Sequence, residues 1–293
     1  MSRLKEKLGQ NKPVITAEIA PPKGAGLKKL LRHTELLAPH VDAINITDCQ
    51  RALVKMSSLA ASRVLLDHGA EPVLQLTCRD RNSIALQSDL MGASALGIRN
   101  LLCLTGDPVK VGDSRQSKSV FEVESLALLN IVQKLQSGRD QNDLKMNAPT
   151  QFFVGAVVNP SLDHGISQLQ RMAKKVEAGA QFFQTQANYD LEGFKHFLNE
   201  SKTLNTNIIA GILILPNAKV AKFIHENIPG IRMPDSIINR FFDAKNEKDE
   251  LEVGIQIAVE MMRGLQTLCQ GFHLMTIRQE ELIPQVLERY HGG

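Results

Sequence analysis

Two carboxylates stand where an active site would want them. Asp107 follows Leu101-Leu102-Cys103-Leu104-Thr105-Gly106, an apolar run that stops at a small polar residue and a glycine. Glu18 lies near the end of Val14-Ile15-Thr16-Ala17-Glu18-Ile19-Ala20, just before Pro21-Pro22. Strands covered on both faces read as unbroken apolar runs, so each carboxylate marks a point where a buried strand delivers a charge at its carboxyl end. Gly106 would let a ligand come close to the backbone, although Gly-Asp-Pro is also ordinary turn chemistry. Glu18 is a candidate general acid, because a largely apolar pocket disfavours the charged form of a carboxyl group. The plain alternative is an ion pair with a nearby Arg or Lys.

Positioning these groups requires the rest of the chain. Further apolar runs cover 41–47, 72–77, 100–105, 152–158, 181–186, 208–213 and 272–276. Between them lie helical patterns such as Leu27, Leu30, Leu31, Leu37; Ile166, Leu169, Met172, Val176; and Leu251, Ile255, Val259, Met262. A cassette recurs in which a helix ends at a glycine (Gly69, Gly97, Gly179), followed by a short strand and a polar residue. Eight strands alternating with helices predict an α/β fold of the (β/α)8 barrel type, a single domain over 1–293. An open doubly wound sheet is the runner-up. Against it, Gly24-x-Gly26 has Lys29 where a third glycine should stand and follows a double proline. Neither a P-loop nor an HExxH pattern is present.

The bulk numbers exclude several classes. The 293 residues are 43% hydrophobic and 22% charged, as in ordinary globular proteins, and the formal net charge of +3 is scattered, which gives no nucleic-acid surface. No apolar run approaches the roughly 20 residues that span a bilayer, and the polar N-terminus lacks a signal-like region. We expect a cytoplasmic protein. Cys49, Cys78, Cys103 and Cys269 are far apart, which suggests free thiols, no disulfide framework and no metal site.

If the barrel closes, the polar strand ends converge on one mouth: Glu18, Thr47, Gln75, Thr77, Thr105, Asp107, Asn159, Gln184, Gln186 and Thr276. A ring of amides and hydroxyls with two carboxylates suits hydrogen bonding to a large heteroaromatic ligand. It suits metal hydrolysis or a Ser-His-Asp arrangement poorly. Lys174-Lys175 is either a phosphate contact or a solvated face. Phe121, Phe182 and Phe183 would stack on a ring system or belong to the core. The polar loop 106–119 falls on the mouth side and 137–150 on the opposite side.

With those residues assembled, the chain resembles the catalytic domain of bacterial methylenetetrahydrofolate reductases. The matching stretches are Thr16-Ala17-Glu18-Ile19-Ala20-Pro21-Pro22, Leu76-Thr77-Cys78, Thr105-Gly106-Asp107, Glu177-Ala178-Gly179-Ala180 with Thr185-Gln186, Gly211-Ile212-Leu213 and Gly271-Phe272-His273. The resemblance implies an FAD-carrying barrel that passes hydride to 5,10-methylenetetrahydrofolate and releases 5-methyltetrahydrofolate. It implies Glu18 as general acid, Asp107 as the carboxylate beside the flavin pyrimidine, and Gln186 as a folate ligand. Thr47, Gly106 and Lys175 are implied as flavin contacts. Gln75, Thr105 and Asn159 from the ring, with Phe121, are assigned to the cofactor side, and Arg278 to the folate.

The chain departs from the family pattern at Gln75 (commonly His), Thr105 (commonly Arg), Ala218 (commonly aromatic) and Gln279 (commonly Arg, with Arg278 one residue away). These changes lie toward the nicotinamide side and the folate tail. The electron donor is therefore expected to be either NAD(P)H or a partner redox protein, and the chain a homo-oligomer or a subunit of a complex. Two further classes remain: a flavin-free pterin-binding methyltransferase, and a non-catalytic flavin- or folate-binding subunit.

Overall fold

Alternation with a period of two inside each apolar run builds two shells around one ring of strands. The strands are β1 (Val14–Ile19), β2 (Ala43–Ile46), β3 (Pro72–Thr77), β4 (Asn100–Leu104), β5 (Phe153–Val158), β6 (Phe182–Thr185), β7 (Asn207–Leu213) and β8 (Gly271–Met275). All pair in parallel, in chain order, and β8 returns to β1 to close the barrel. A computed structural model describes residues 2–161, 166–228, 230–231 and 233–292.

Outward side chains such as Ile44, Leu74, Leu101, Val154, Phe183 and Leu274 pack against the surrounding helices. These helices are α2 (Lys28–Leu37), α3 (Ser58–Asp67), α4 (Ser83–Ala95), α5 (Ser125–Gln136), α6 (Ile166–Glu177), α7 (Leu191–Ser201), α8 (Ala218–Asn227), α9 (Asp235–Asn239), α10 (Glu247–Leu265) and α11 (Leu282–Gly292). The helix–glycine–strand cassette is present. Gly97 at φ +87° and Gly179 at φ +99° take the left-handed conformation that ends α4 and α6 and turns the chain into the next strand.

Inward side chains form the second shell. Val14, Ala43, Val73, Leu102, Phe153, Phe182 and Ile209 make a separate inner cluster with Leu4 and Leu8. The last two belong to α1 (Arg3–Gly9), a helix in a stretch that reads as a polar N-terminus. Seven residues are too few for a helix stable alone, so α1 depends on its contacts. The Ser2 hydroxyl accepts the Lys5 N–H (3.0 Å), and the Glu71 carboxylate accepts those of Arg3 (2.8 Å) and Leu4 (3.1 Å). Leu4 and Leu8 are fully buried, contributing about 1.5–3 kcal/mol each.

Phe182 stacks on Phe153 inside the barrel at 4.9 Å, and Phe183 belongs to the outer core. Neither is a ligand-stacking surface. The inner wall is tight enough that a Cβ on Gly155 would lie 2.2 Å from the Phe182 ring. The 106–119 loop, with a short turn at Val109–Val111, follows β4 at the barrel's carboxyl end. The 137–150 loop, held by a bridge between Arg139 and Lys145, precedes β5 at the other end.

Candidate active site

Above the inner apolar cluster the inward positions turn polar, and above them opens a cavity of about 820 Å3. Glu18, Gln75, Thr77, Thr105, Gly106, Asp107, Asn159, Lys175, Gln184 and Gln186 all line it. Thr47, Phe121, Thr276 and Arg278 are not on its wall. Thr47 is buried, with its hydroxyl lacking a hydrogen-bond partner among the described residues. Phe121 lies half-buried in the long mouth-side loop, and Arg278 is exposed beyond β8.

Glu18 has no Arg or Lys partner among the described residues. Gln50 Nε2 donates to its Oε1 (3.2 Å) and Gln75 Nε2 to its Oε2 (3.1 Å), while His273 Nε2 stands 3.7 Å from Oε2. The carboxyl group is thus held by amides and an imidazole, where the sequence suggested apolar walls. Such a setting orients it without neutralising it.

Beneath Glu18 lies a closed polar layer built from inward positions of four strands. Asn45 Nδ2 donates to Gln184 Oε1 (2.7 Å), and Gln184 Nε2 donates back to Asn45 Oδ1 (3.1 Å) and also to the Thr16 hydroxyl (3.3 Å). Thr16 Oγ1 is 2.9 Å from His273 Nδ1. Gln184 Nε2, which can only donate, also lies 3.4 Å from Nδ1, so Nδ1 is placed as an acceptor and the Thr16 hydroxyl proton goes to it. His273 is then the tautomer with its proton on Nε2, the nitrogen that faces Glu18. Sequence reading carried His273 only within a matching stretch and gave it no role. The available signal was strand parity, since positions 271, 273 and 275 share a face.

Asp107 leaves β4 just beyond Gly106, and its Oδ2 accepts the Arg51 backbone N–H at 2.9 Å. A Cβ on Gly106 (φ +94°) would stand 3.0 Å from the Thr77 Cβ, so the bare glycine keeps this wall open. Thr105 Oγ1 accepts the Ser125 N–H at the start of α5 (3.2 Å). Asp48, also on the wall, is a buried structural carboxylate. It accepts from Thr77 N (2.9 Å), Thr77 Oγ1 (2.8 Å) and Arg81 Nη1 (2.7 Å). Burial works against the Arg81 charge, but Asp48 and Asp89 outweigh it and raise the Arg81 pKa.

The far wall is cationic. Arg171, Lys174 and Lys175 line the cavity from α6, at the i, i+3, i+4 spacing that puts three side chains on one helix face. None of the three makes an ion pair among the described residues. Burial lowers the Lys175 pKa, and its Nζ donates to the Val157 carbonyl at 2.8 Å. Gln168 also lines the cavity from α6, buried and with no partner for Nε2 among the described residues. Lys174 and Lys175 thus both line the cavity, and Arg171, which the sequence reading did not name, lines it beside them.

None of the four cysteines lines the cavity. Burial pushes the Cys78 thiol up to about 11 and that of Cys103 higher still, so neither is a nucleophile near neutral pH. Among the described residues no group of three or more His, Cys, Asp or Glu is placed to hold a metal ion, and no helix is long and apolar enough to cross a membrane.

A family model described as methylenetetrahydrofolate reductase matches residues 3–291. The chain is 26% identical over 232 residues to methylenetetrahydrofolate reductase 1 of Schizosaccharomyces pombe, covering 76% of this chain and 36% of that protein. It therefore spans about a third of that fungal relative's length. It is 26% identical over 221 residues to the 5,10-methylenetetrahydrofolate reductase of Escherichia coli, covering 73% of this chain and 68% of that one. Among solved structures it is similar to a Clostridium thermocellum protein described as binding two copies of 5-methyl-5,6,7,8-tetrahydrofolic acid. That match has a TM-score of 0.68 at 16% identity and covers 99% of this chain and 97% of the other.

Proposed function

The chain belongs to the methylenetetrahydrofolate reductase family, and from that premise we propose that it is the flavin-dependent barrel that reduces 5,10-methylenetetrahydrofolate to 5-methyltetrahydrofolate. The observation that carries the reading is the pairing of one hydrogen-bonded carboxyl group with no Arg or Lys partner among the described residues, Glu18, with a second carboxylate, Asp107, across a cavity large enough for two ring systems.

The residues present fit FAD. A dinucleotide needs cations for its diphosphate, and Arg171, Lys174 and Lys175 offer three that no described carboxylate neutralises. The buried Nε2 donor of Gln168, on the cavity wall, lacks a partner among the described residues, as a group awaiting a ligand does, whereas the Thr47 hydroxyl lies off that wall. Thr105, Gly106, Asn159 and Gln75 would complete the cofactor side. When bound, the flavin supplies hydride chemistry by accepting electrons from a donor and passing them to the folate carbon.

The chain's own part is to bind, orient and protonate. Glu18 gives a proton to a nitrogen of the imidazolidine ring, which opens to the iminium ion that accepts hydride. Gln75 and His273 aim the carboxyl group, and the layer of Thr16, Asn45 and Gln184 below fixes the imidazole. Asp107 accepts from the amino and ring N–H edge of a pterin, and beside a flavin its negative charge disfavours an anionic reduced ring. Gln186 hydrogen-bonds the folate, and Arg278, exposed off the cavity wall, would reach only its tail. The donor is NAD(P)H or a partner redox protein. Ala218, at the position of the family's aromatic residue, begins α8 away from the cavity wall, which favours the protein donor.

The test is the visible spectrum of the purified protein, followed by anaerobic dithionite reduction and addition of methylenetetrahydrofolate. A yellow protein reoxidised by the folate supports the reading. A colourless protein that takes up no FAD overturns it in favour of a flavin-free pterin-binding methyltransferase, and flavin without folate-dependent reoxidation points to a binding subunit. Steady NADH oxidation at an ordinary enzymatic rate would remove the protein-donor assignment alone.

A further inference from the structure

We propose that residues 49–54 form a strap that engages Glu18 and Asp107 and must release both before folate binds; this rests on the folate reading above. The segment leaves β2 beyond Asp48 and crosses the mouth. Gln50 donates to Glu18 Oε1 (3.2 Å), and one residue later the Arg51 backbone N–H donates to Asp107 Oδ2 (2.9 Å). One short stretch of chain therefore engages both carboxylates assigned to the reaction. An N–H donor on each is also what the amino and ring N–H edge of a pterin would present to a carboxylate.

The strap is built to be dislodged. Cys49, Arg51 and Ala52 have φ of +45°, +55° and +53°, a conformation that non-glycine residues hold only where their surroundings impose it. Little apolar burial contributes to that imposition. Ala52 is buried, but Leu53 is 36% and Val54 51% exposed, as in segments of low local stability. What holds the outer end is Asp113, whose Oδ1 accepts the Val54 N–H (2.9 Å) while its other oxygen pairs with Lys23. From below, Gly112 approaches so closely that a Cβ there would lie 1.9 Å from the Ala52 carbonyl oxygen. Glu18 does not depend on the strap for its own placement, since Gln75 and His273 hold it from the barrel side.

Two consequences separate a strap that yields from a lid that closes over its ligand. Occupancy by the strap lowers the apparent folate affinity by the fraction of molecules in which it is released. Weakening the outer anchor must therefore strengthen binding. Asp113→Asn loosens that anchor at a surface position where folding is not at stake, and Gly112→Ala pushes the Ala52 carbonyl away.

The experiment titrates 5-methyltetrahydrofolate into the wild-type holoprotein and both variants by calorimetry and stopped flow, and follows backbone hydrogen exchange in peptides covering 49–56. Expected are faster exchange of this segment on adding the ligand and an association rate and affinity about three- to ten-fold higher in both variants. Ligand-induced protection of 49–56, or variants that bind no better than wild type, overturns the strap while leaving the folate reading intact. Failure of the wild-type protein to bind the folate at all overturns both.

Discussion

Replacing Glu18 by glutamine removes a transferable proton while keeping nearly the same shape. The structural cost is small and can be counted. Each carboxylate oxygen accepts one amide N–H, from Gln50 at 3.2 Å and Gln75 at 3.1 Å, so the new NH2 group must face one donor. Gln75 is 7% exposed and fixed, whereas Gln50 is exposed and able to turn away. The amide therefore points its oxygen at Gln75, and one exposed hydrogen bond is lost, worth about 0.5–1.5 kcal/mol. Flavin should stay bound, because Glu18 is remote in role from the cationic α6 wall. The chemical cost is larger: a positioned general acid contributes about 10²–10⁴ in rate, or about 2.7–5.4 kcal/mol at 1.36 kcal/mol per decade. The assay is anaerobic stopped flow at flavin wavelengths, mixing reduced Glu18→Gln with methylenetetrahydrofolate. Reoxidation within ten-fold of wild type would refute the acid assignment, and a colourless variant would mean that Glu18 serves the cofactor instead.

Lys175→Met keeps the length of the side chain but removes a half-buried charge from the cavity wall. It should weaken FAD retention on ultrafiltration by about ten-fold or more, with folding unchanged by circular dichroism; equal retention would return Lys175 to a structural role. Gly155→Ala drives a methyl group into the Phe182 ring and should cost about 1–3 kcal/mol, read as a lower urea midpoint at unchanged slope. His33 is buried between α2 and the start of α11, 3.2 Å from Glu280. Burial holds its pKa below the ordinary 6.5, against the opposing pull of Glu280. The unfolded chain therefore binds the extra proton first, and the His33 contribution to stability, complete above about pH 6.5, is lost as pH falls below it. His33→Gln should flatten that part of the stability–pH curve, and an unchanged slope between pH 5 and 7 would assign the loss to other groups.

Strand order and mouth were legible because a parallel barrel leaves a direct mark. Its strands are short apolar runs, and its functional groups follow them, as Asp107 follows Leu104 and Asn159 follows Val158. The helix α1 was not legible, since Leu4 and Leu8 gain meaning only once a barrel floor exists to receive them. Inward groups in mid-strand were hidden for a related reason: Thr16, Asn45 and His273 sit within apolar runs, where side-chain direction depends on parity across eight strands. Arg171 was missed because only Lys174 and Lys175 adjoin in sequence, whereas the helix face places 171 beside them. Of the long-range partners of Glu18, Gln75 was placed on the same mouth, but its pairing with the carboxyl group was not, and Gln50 was not legible. Gln50 comes from a left-handed loop with no glycine to announce it, and Gln75 from a different strand.

The polar layer explains why Glu18 does not need an ion pair to keep its place. An apolar layer of Val or Ile at positions 16, 45, 184 and 273 would bury as well and leave no polar group to satisfy. Instead the chain closes a set of hydrogen bonds in which Asn45 and Gln184 exchange two, Gln184 meets Thr16, and Thr16 meets His273. Such a network resists rotation of either amide alone, because that leaves a buried donor facing a donor. What it transmits upward is orientation, through an imidazole whose Nε2–H points at Glu18 from a fixed direction. Thr16→Val, which removes the hydroxyl and keeps the shape, tests this. It frees Nδ1 to take the proton, and the expected result is a shifted pH profile for folate-dependent flavin reoxidation with flavin binding unchanged. An identical profile would show that the layer is packing and that Gln75 alone orients the acid.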